Sequence, residues 1–314
     1  MLILLPQYLT QLKYPKEQSY IATTGFFDGV HKGHVAVLNR LKQLGLELNS
    51  KVCVISFWPH PRIVLNKDAE NLKLLSTIEE KEKYLKSLGI DKFIVIPFTK
   101  EFATLSSQQF ISHIVDEYNI SGLCVGYDHH VGKDRSAGFE SIKNTCNEIG
   151  IYCEQVPPLI ANDKIISSQK IRTCLLEGNI QEANNMLGYS YNLRGIVEHG
   201  QKLGRTIGFP TANIKLGNNL KLIPCNGVYA VKVYFENNCL KGMLYIGKKS
   251  TVNNSDKIFI EVNIFDFDDN LYDKEITISF EHFVRKDMTF ANIEEMKQQL
   301  LKDKQSSLDM MAVI

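Results

Sequence analysis

No sign of charge dominates this chain. Its 314 residues carry 36 lysines and arginines against 35 aspartates and glutamates, a formal net charge of +1. A surface built for nucleic acid or an anionic membrane needs a field of one sign, and none is implied. Disulfide and zinc frameworks are missing too. The seven cysteines, Cys53, Cys124, Cys146, Cys153, Cys174, Cys225 and Cys239, are odd in number and form no Cys-x-x-Cys. That is the usage of a protein with reduced thiols, and a cytoplasmic location is expected. Long apolar runs are lacking: the start, MLILLPQYLTQLKYP, has five apolar residues before Pro6. Five are too few for a signal peptide or a membrane span. Internal repeats and low-complexity tracts are absent. What is present is an ordinary globular composition, 44% hydrophobic and 23% charged, and a length that predicts two domains.

The first part of the chain alternates between strand-like and helix-like patterns. Apolar runs predict strands at Tyr20–Thr24, Val52–Phe57, Phe93–Phe98, Leu123–Tyr127 and Tyr152–Val156. Val35, Leu38, Leu41 and Leu44 mark a helix between the first two. Thr77-Ile-Glu-Glu80 and Ser106-Ser-Gln-Gln109 read as capping boxes opening two more, because a hydroxyl three residues before Glu or Gln satisfies the free N–H groups of a helix start. Alternating β and α units predict a parallel, doubly wound sheet with ligands at the carboxyl ends of its strands. Near Gly188 the pattern changes. Strands are predicted at Arg194–Glu198, Val228–Phe235, Gly242–Ile246, Ile258–Phe267 and Ile276–Phe283, with Glu236-Asn-Asn238 and Asp268-Asp-Asn270 as turns. These predict a small antiparallel barrel. Ile293, Met296, Leu300 and Leu301 give a closing helix. The expected domains are 1–186, a Rossmann-like α/β domain, and 187–314, the β-barrel with its terminal helix.

Two stretches carry chemistry. GFFDGVHKGH, residues 25–34, ends the first strand and opens the first helix. Gly25, Gly29 and Gly33 allow close backbone approach to a ligand. The helix start offers free N–H groups and a positive dipole, a natural phosphate site. His31 and His34, one helical turn apart, can both donate to phosphate oxygens. That suits nucleotidyl transfer, where charge builds on the α-phosphate and on the pyrophosphate leaving group. The plainer reading is a pair of solvated loop histidines, and the strand–turn–helix context favours the chemical one. The second stretch, GIVEHGQKLGRTIGFPTAN, spans residues 195–213 with glycines at 195, 200, 204 and 208. Small residues let backbone N–H groups cradle phosphates. Thr211 and Asn213 supply hard oxygen ligands suited to Mg²⁺ on a nucleotide phosphate.

GFFDGVHKGH resembles the signature of the adenylyltransferase domain in bacterial bifunctional riboflavin kinase/FAD synthetases. SFWPHP (56–61), PFTKEFATLS (97–106), VGYDHHVGKDRSAG (125–138) and SSQKIR (167–172) resemble further segments of that domain. GIVEHGQKLGRTIGFPTAN, NGVYAVKV (226–233), LYIGKKSTVN (244–253) and FVRKDMTF (283–290) resemble the riboflavin kinase half. The resemblance covers nearly the whole chain in the family's domain order. It implies ATP as co-substrate, Mg²⁺, and two reactions: riboflavin to FMN with release of ADP, then FMN to FAD with release of pyrophosphate. His31 and His34 are implied as catalytic in adenylyl transfer. Gly25, Phe27, Asp28, Asp128, Ser167, Ser168 and Arg172 are implied as nucleotide or ribose contacts. Glu261, in IFIEVNIFDF, is implied as the base of the kinase, with Thr211 and Asn213 on the metal–nucleotide, Gly204 and Arg205 in the phosphate arch, and Arg285 near flavin.

The chain departs from the family pattern at several positions. Gln169 stands for a threonine, His129, His130 and Val131 for Phe, Arg and Phe, Asn263 for a frequent histidine, and Lys249 and Ser250 for Arg and Pro. Asp273 stands for a glycine, and aspartate tolerates positive φ better than most residues. Two alternatives remain at this level: a riboflavin kinase with an impaired adenylyltransferase half, and a flavin- or nucleotide-binding regulator without turnover. A monomer or weak homo-oligomer is expected, with no nucleic-acid or membrane partner.

Overall fold

The computed structural model describes residues 18–127, 132, 138–161, 164–199, 204, 207–248 and 258–312. The expected site residues Asp128 and Arg205 lie outside them, as do His129, His130, Val131, Lys249 and Ser250. Internal contacts divide the chain into two units, Met1–Ser168 and Gln169–Ile314.

The first unit runs β1 (Tyr20–Thr24), α1 (Lys32–Glu47), β2 (Lys51–Trp58), α2 (Pro61–Val64), α3 (Ile78–Ser87), β3 (Lys92–Pro97), α4 (Ser107–Tyr118), β4 (Ile120–Gly126), α5 (Gly138–Ile149), β5 (Tyr152–Val156) and a short hairpin, β6 (Ile160–Ala161) with β7 (Lys164–Ile165). Its sheet has the order β3-β2-β1-β4-β5, and every pairing in it is parallel. Successive strand residues face opposite sides. Ile21, Val54 and Phe93 pack with Leu38, Leu41 and Leu44 of α1. Ala22, Ile55 and Ile94 pack on the other face with Phe110, Ile111 and Ile114 of α4. Both expected capping boxes are formed: Thr77 and Glu80 cap α3, and Ser106 and Gln109 cap α4. From β1 the chain winds outward to β2 and β3, whereas β4 and β5 fill the other side. The strand order therefore reverses beside β1, and the crevice at its carboxyl end is where such sheets bind ligands.

The second unit begins with α6 (Ser168–Glu177), whose first residue closes the first unit, and α7 (Ile180–Leu187). It continues with β8 (Asn192–Glu198), β9 (Ala212–Leu216), β10 (Gly227–Phe235), β11 (Asn238–Lys248), β12 (Ile258–Ile264), β13 (Glu275–Arg285) and α8 (Ile293–Met310). Within the second unit α6 and α7 pack with the barrel. Asn184 of α7 donates to Phe280 O at 2.8 Å and accepts from Tyr191 N at 2.8 Å. Cys225 N donates to Leu175 O of α6 at 3.2 Å. The strands close into an antiparallel barrel in the order β10-β11-β12-β9-β8-β13. The sequence pattern had not predicted β9, since its residues follow directly on a Gly-Phe-Pro-Thr segment that reads as loop. Asp273 has a φ of 62°, the left-handed geometry of the glycine it replaces, and its N–H donates to Val197 O at 2.9 Å.

Helix α8 lies on the barrel. Leu300, Leu308 and Met311 cluster with Phe209, Val228, Met243 and Phe265. A buried ion pair fastens it: the Arg285 guanidinium donates to both oxygens of Asp303 at 2.7–3.0 Å. The side chains are 18% and 2% exposed. Removing one partner of such a pair leaves an uncompensated buried charge. Asp303→Ala is therefore expected to cost on the order of 3 kcal/mol, read as a lower denaturant midpoint for the barrel unit.

Candidate active sites

The first site is built on the turn after β1. Its backbone takes unusual conformations in close succession: φ is 48° at Phe27, 79° at Gly29 and 37° at Val30. Left-handed geometry at Phe and at β-branched Val is strained and persists only where the surroundings over-determine it. The surroundings do so here. The Asp28 carboxylate accepts from Leu75 N at 2.9 Å and Ser76 N at 3.1 Å. Gly29 N donates to Ser76 Oγ at 2.9 Å. The Lys81 ammonium, on a side chain 5% exposed, donates to Phe26 O at 2.6 Å. Ser168 Oγ donates to Asp28 O at 2.9 Å.

This loop delivers the histidines to the start of α1. His31 is the N-cap, and its Nδ1 accepts from His34 N at 3.3 Å. A neutral imidazole accepting at Nδ1 carries its proton on Nε2, so His31 presents an N–H donor. The two rings stack at 3.7 Å and 15°. Gly33 makes the stacking possible, since a Cβ there would lie 3.1 Å from His31 Nδ1 and Cε1. The His34 pKa is held well below the ordinary imidazole value, first by burial, then by His31 and Lys81. His34 is thus neutral at pH 7. Its Nδ1 is buried without a protein partner.

A half-buried aromatic wall stands beside the histidines at the carboxyl ends of β1, β2 and β3. Phe26 contacts His60 at 4.5 Å and Phe57 at 5.7 Å, and Phe57 contacts Phe102 at 5.7 Å.

The structure thus brings Gly25, Phe27, Asp28, His31, His34, Ser167 and Ser168 to one end of the first unit's sheet or the segment leading into α6. The Asp28 carboxylate also accepts from the Leu75–Ser76 backbone and shapes the loop. Arg172 lies within α6, in the second unit. Lys81 and Ser76 escaped sequence reading. Lys81 follows its helix's capping box directly, yet in IEEKEKYLKS nothing separates it from the other charged residues around it.

The second site lies where β12 meets β9. Glu261 pairs in register with Asn213, and Thr211 Oγ1 donates to Glu261 Oε2 at 3.3 Å. Asn263 donates to Pro210 O at 2.7 Å and so pins the Gly-Phe-Pro-Thr segment. On the other side of Glu261 in the sheet is Tyr245, whose hydroxyl donates to Asp287 Oδ1 at 3.1 Å. Burial and then Asp287 push the Tyr245 pKa up to about 12, so the phenol stays protonated. A cleft opens beside Thr211, lined also by Val197, Pro210, Ala212, Val262 and the turn 267–272. His199 stacks at 3.8 Å on Tyr272 of that turn.

Gly204 closes the arch: its carbonyl accepts from Phe209 N at 2.8 Å. A Cβ on Gly204 would collide with the Phe209 carbonyl oxygen. Gly204→Ala is expected to displace Thr211 and to cut riboflavin phosphorylation on the order of 10²-fold, measured as FMN formed per minute. Arg285, expected near flavin, spends its guanidinium on Asp303. Among the described residues no group of three His, Cys, Asp or Glu side chains is placed to hold a metal ion alone. The Thr211, Asn213 and Glu261 oxygens still suit a Mg²⁺ ion whose remaining ligands come from phosphate and water.

A doubly wound sheet with stacked histidines at a helix start, joined to a closed barrel with a Thr–Asn–Glu oxygen cluster, defines a two-site phosphate-transfer enzyme. The comparisons specify which one. Residues 13–170 match the FAD synthetase family and residues 187–311 the riboflavin kinase family. The Bacillus subtilis bifunctional riboflavin kinase/FMN adenylyltransferase is 38% identical, covering 92% of this chain and 91% of its own length. The Escherichia coli K12 protein of the same name is 33% identical, covering 93% of each. The chain belongs to the bifunctional riboflavin kinase/FMN adenylyltransferase family. A solved structure from Streptococcus pneumoniae, described as a macrolide-efflux protein, superposes with a TM-score of 0.87 at 29% identity, covering 93% of this chain and 94% of that one. That description is the other protein's own. Among the described residues here, no helix is long and apolar enough to cross a membrane.

Proposed function

We propose that the barrel unit phosphorylates the riboflavin 5′-hydroxyl from ATP and that the first unit adenylylates the resulting FMN to give FAD and pyrophosphate. The observation that carries this reading is the Thr211–Glu261–Asn213 cluster in one unit together with the stacked His31–His34 pair in the other. Glu261 accepts the hydroxyl proton as the oxygen attacks the γ-phosphorus and ADP leaves. Thr211 and Asn213 would hold Mg²⁺, which neutralises phosphate charge when bound. Gly204 and Arg205 would bind the nucleotide phosphates.

In the first unit, an FMN phosphate oxygen attacks the ATP α-phosphorus and pyrophosphate departs, with no covalent intermediate. The His31 and His34 N–H groups, with the free N–H groups opening α1, stabilise the charge that develops. The aromatic wall of Phe26, Phe57 and His60 takes the flavin ring. Ser167, Ser168, Asp128 and Arg172 bind nucleotide. Seven cysteines without a disulfide support a cytoplasmic enzyme, and the assembly proposed is a monomer or weak homo-oligomer. The test is a chromatographic time course with riboflavin, ATP and Mg²⁺. FMN that rises and then passes into FAD supports both sites, and FMN that accumulates without FAD removes the adenylyltransferase reading.

A further inference from the structure

The least expected group at the first site is a buried cation. Lys81 projects from α3 on the same face as Leu85, and only 5% of it is exposed. A buried ammonium is costly unless it has a structural or chemical task. Its nearest partner is not a surface carboxylate but the Phe26 carbonyl, at 2.6 Å, and Ser56 Oγ donates to the same oxygen at 3.4 Å. Phe26 directly precedes the strained turn at Phe27, Gly29 and Val30. Besides Ser168, three further anchors of that turn come from the same short segment of chain, through Leu75 N, Ser76 N and Ser76 Oγ. Residues 75–81 therefore form a clamp, and Lys81 is its charged member.

We propose that Lys81 is a positioning residue for adenylyl transfer: its ammonium fixes the Phe26 carbonyl, and with it the left-handed turn that presents His31 and His34 to the substrate phosphates. This rests on the histidine pair being the transfer site. Lys81 acts through the loop and through its field, without touching the reacting atoms. Burial brings its own pKa down to about 8, with Asp28 opposing that shift, so it is charged at neutral pH. The titratable groups acting on His34 are His31 from the loop and Lys81 from α3, with Asp28 beside Lys81. A cation there disfavours a second positive charge on His34.

The test uses the full chain supplied with FMN and ATP. Lys81→Met keeps the side-chain length and removes the donor. It is expected to lower kcat for FAD formation by about 50-fold while the KM for ATP moves less than about threefold, the signature of misplaced catalytic groups. Lys81→Gln, which can still donate to Phe26 O, should recover at least about fivefold of that loss. In Lys81→Met the His34 imidazole, assigned by NMR against His34→Gln, should titrate at higher pH than in the wild type. Exposure of the ring would raise it as well, since burial is the first cause of the low value; the same shift in Lys81→Gln, which loses the charge and keeps the Phe26 contact, separates lost charge from a loosened fold.

A kcat within about threefold of wild type in Lys81→Met overturns the proposal, and so does an unmoved His34 titration. His31→Ala runs alongside. If it retains FAD formation, the reading of the histidines falls, and the Lys81 proposal with it. If His31→Ala is inactive and Lys81→Met is active, the histidine reading stands and only the Lys81 proposal is lost.

Discussion

Glu261→Gln converts supplied FMN to FAD at the wild-type rate and forms almost no FMN from riboflavin. The expected loss in riboflavin phosphorylation is about 10³-fold, in the range of a removed general base. The geometry makes the result specific. Glutamine keeps the volume of the side chain, and it keeps an oxygen for the Thr211 hydroxyl now donating at 3.3 Å. The register that sets Glu261 opposite Asn213 on one side and Tyr245 on the other is a backbone property of the barrel, untouched by the change. What disappears is the ability to take a proton. Tyr245 offers no substitute, because its hydroxyl stays protonated beside Asp287. A variant that lost both activities while remaining folded would contradict the division of labour between the two units.

The parts of this architecture that depend on local chemistry were legible before any coordinates. β1 was predicted at Tyr20–Thr24, where it is found, since an apolar β-branched run bounded by glycine has few other solutions. Both capping boxes formed, because their hydrogen bonds span only three residues. Asp273 takes the positive φ that the glycine pattern implied. What escaped reading depends on distant partners. The Asp28 carboxylate meets donors 47 and 48 residues away. The Arg285 guanidinium meets Asp303, 18 residues on. Lys81 reaches back 55 residues to Phe26 O. The packing of α6 and α7 with the barrel likewise depends on distant partners, Phe280 and Cys225. Helical periodicity states that a face is apolar and is silent on which neighbour covers it.

The complementary experiment removes the histidines. His31→Ala is expected to abolish FAD formation, on the order of 10³-fold, and to leave riboflavin phosphorylation unchanged. His31 performs two tasks that alanine cannot. On the proposed reading its Nε2–H donates to the phosphates, and through Nδ1 it caps α1 by accepting from His34 N. The loss of one such oxyanion donor costs about 10²–10³-fold, and the lost cap loosens the helix start that supplies the remaining N–H groups. His34 separates the two contributions, since it caps nothing. It is held neutral by burial, His31 and Lys81, so the proposed reading gives it a hydrogen bond and not a full charge. Replacement by a neutral donor of similar reach should then be tolerated far better than truncation. His34→Gln is expected to keep about a tenth of the FAD-forming rate, whereas His34→Ala falls about 10²-fold or more. Equal losses in the two variants would mean that the His34 imidazole acts as a cation during transfer. The proton would then have to arrive with the negatively charged substrates, because burial and two neighbouring basic groups exclude it from the free site.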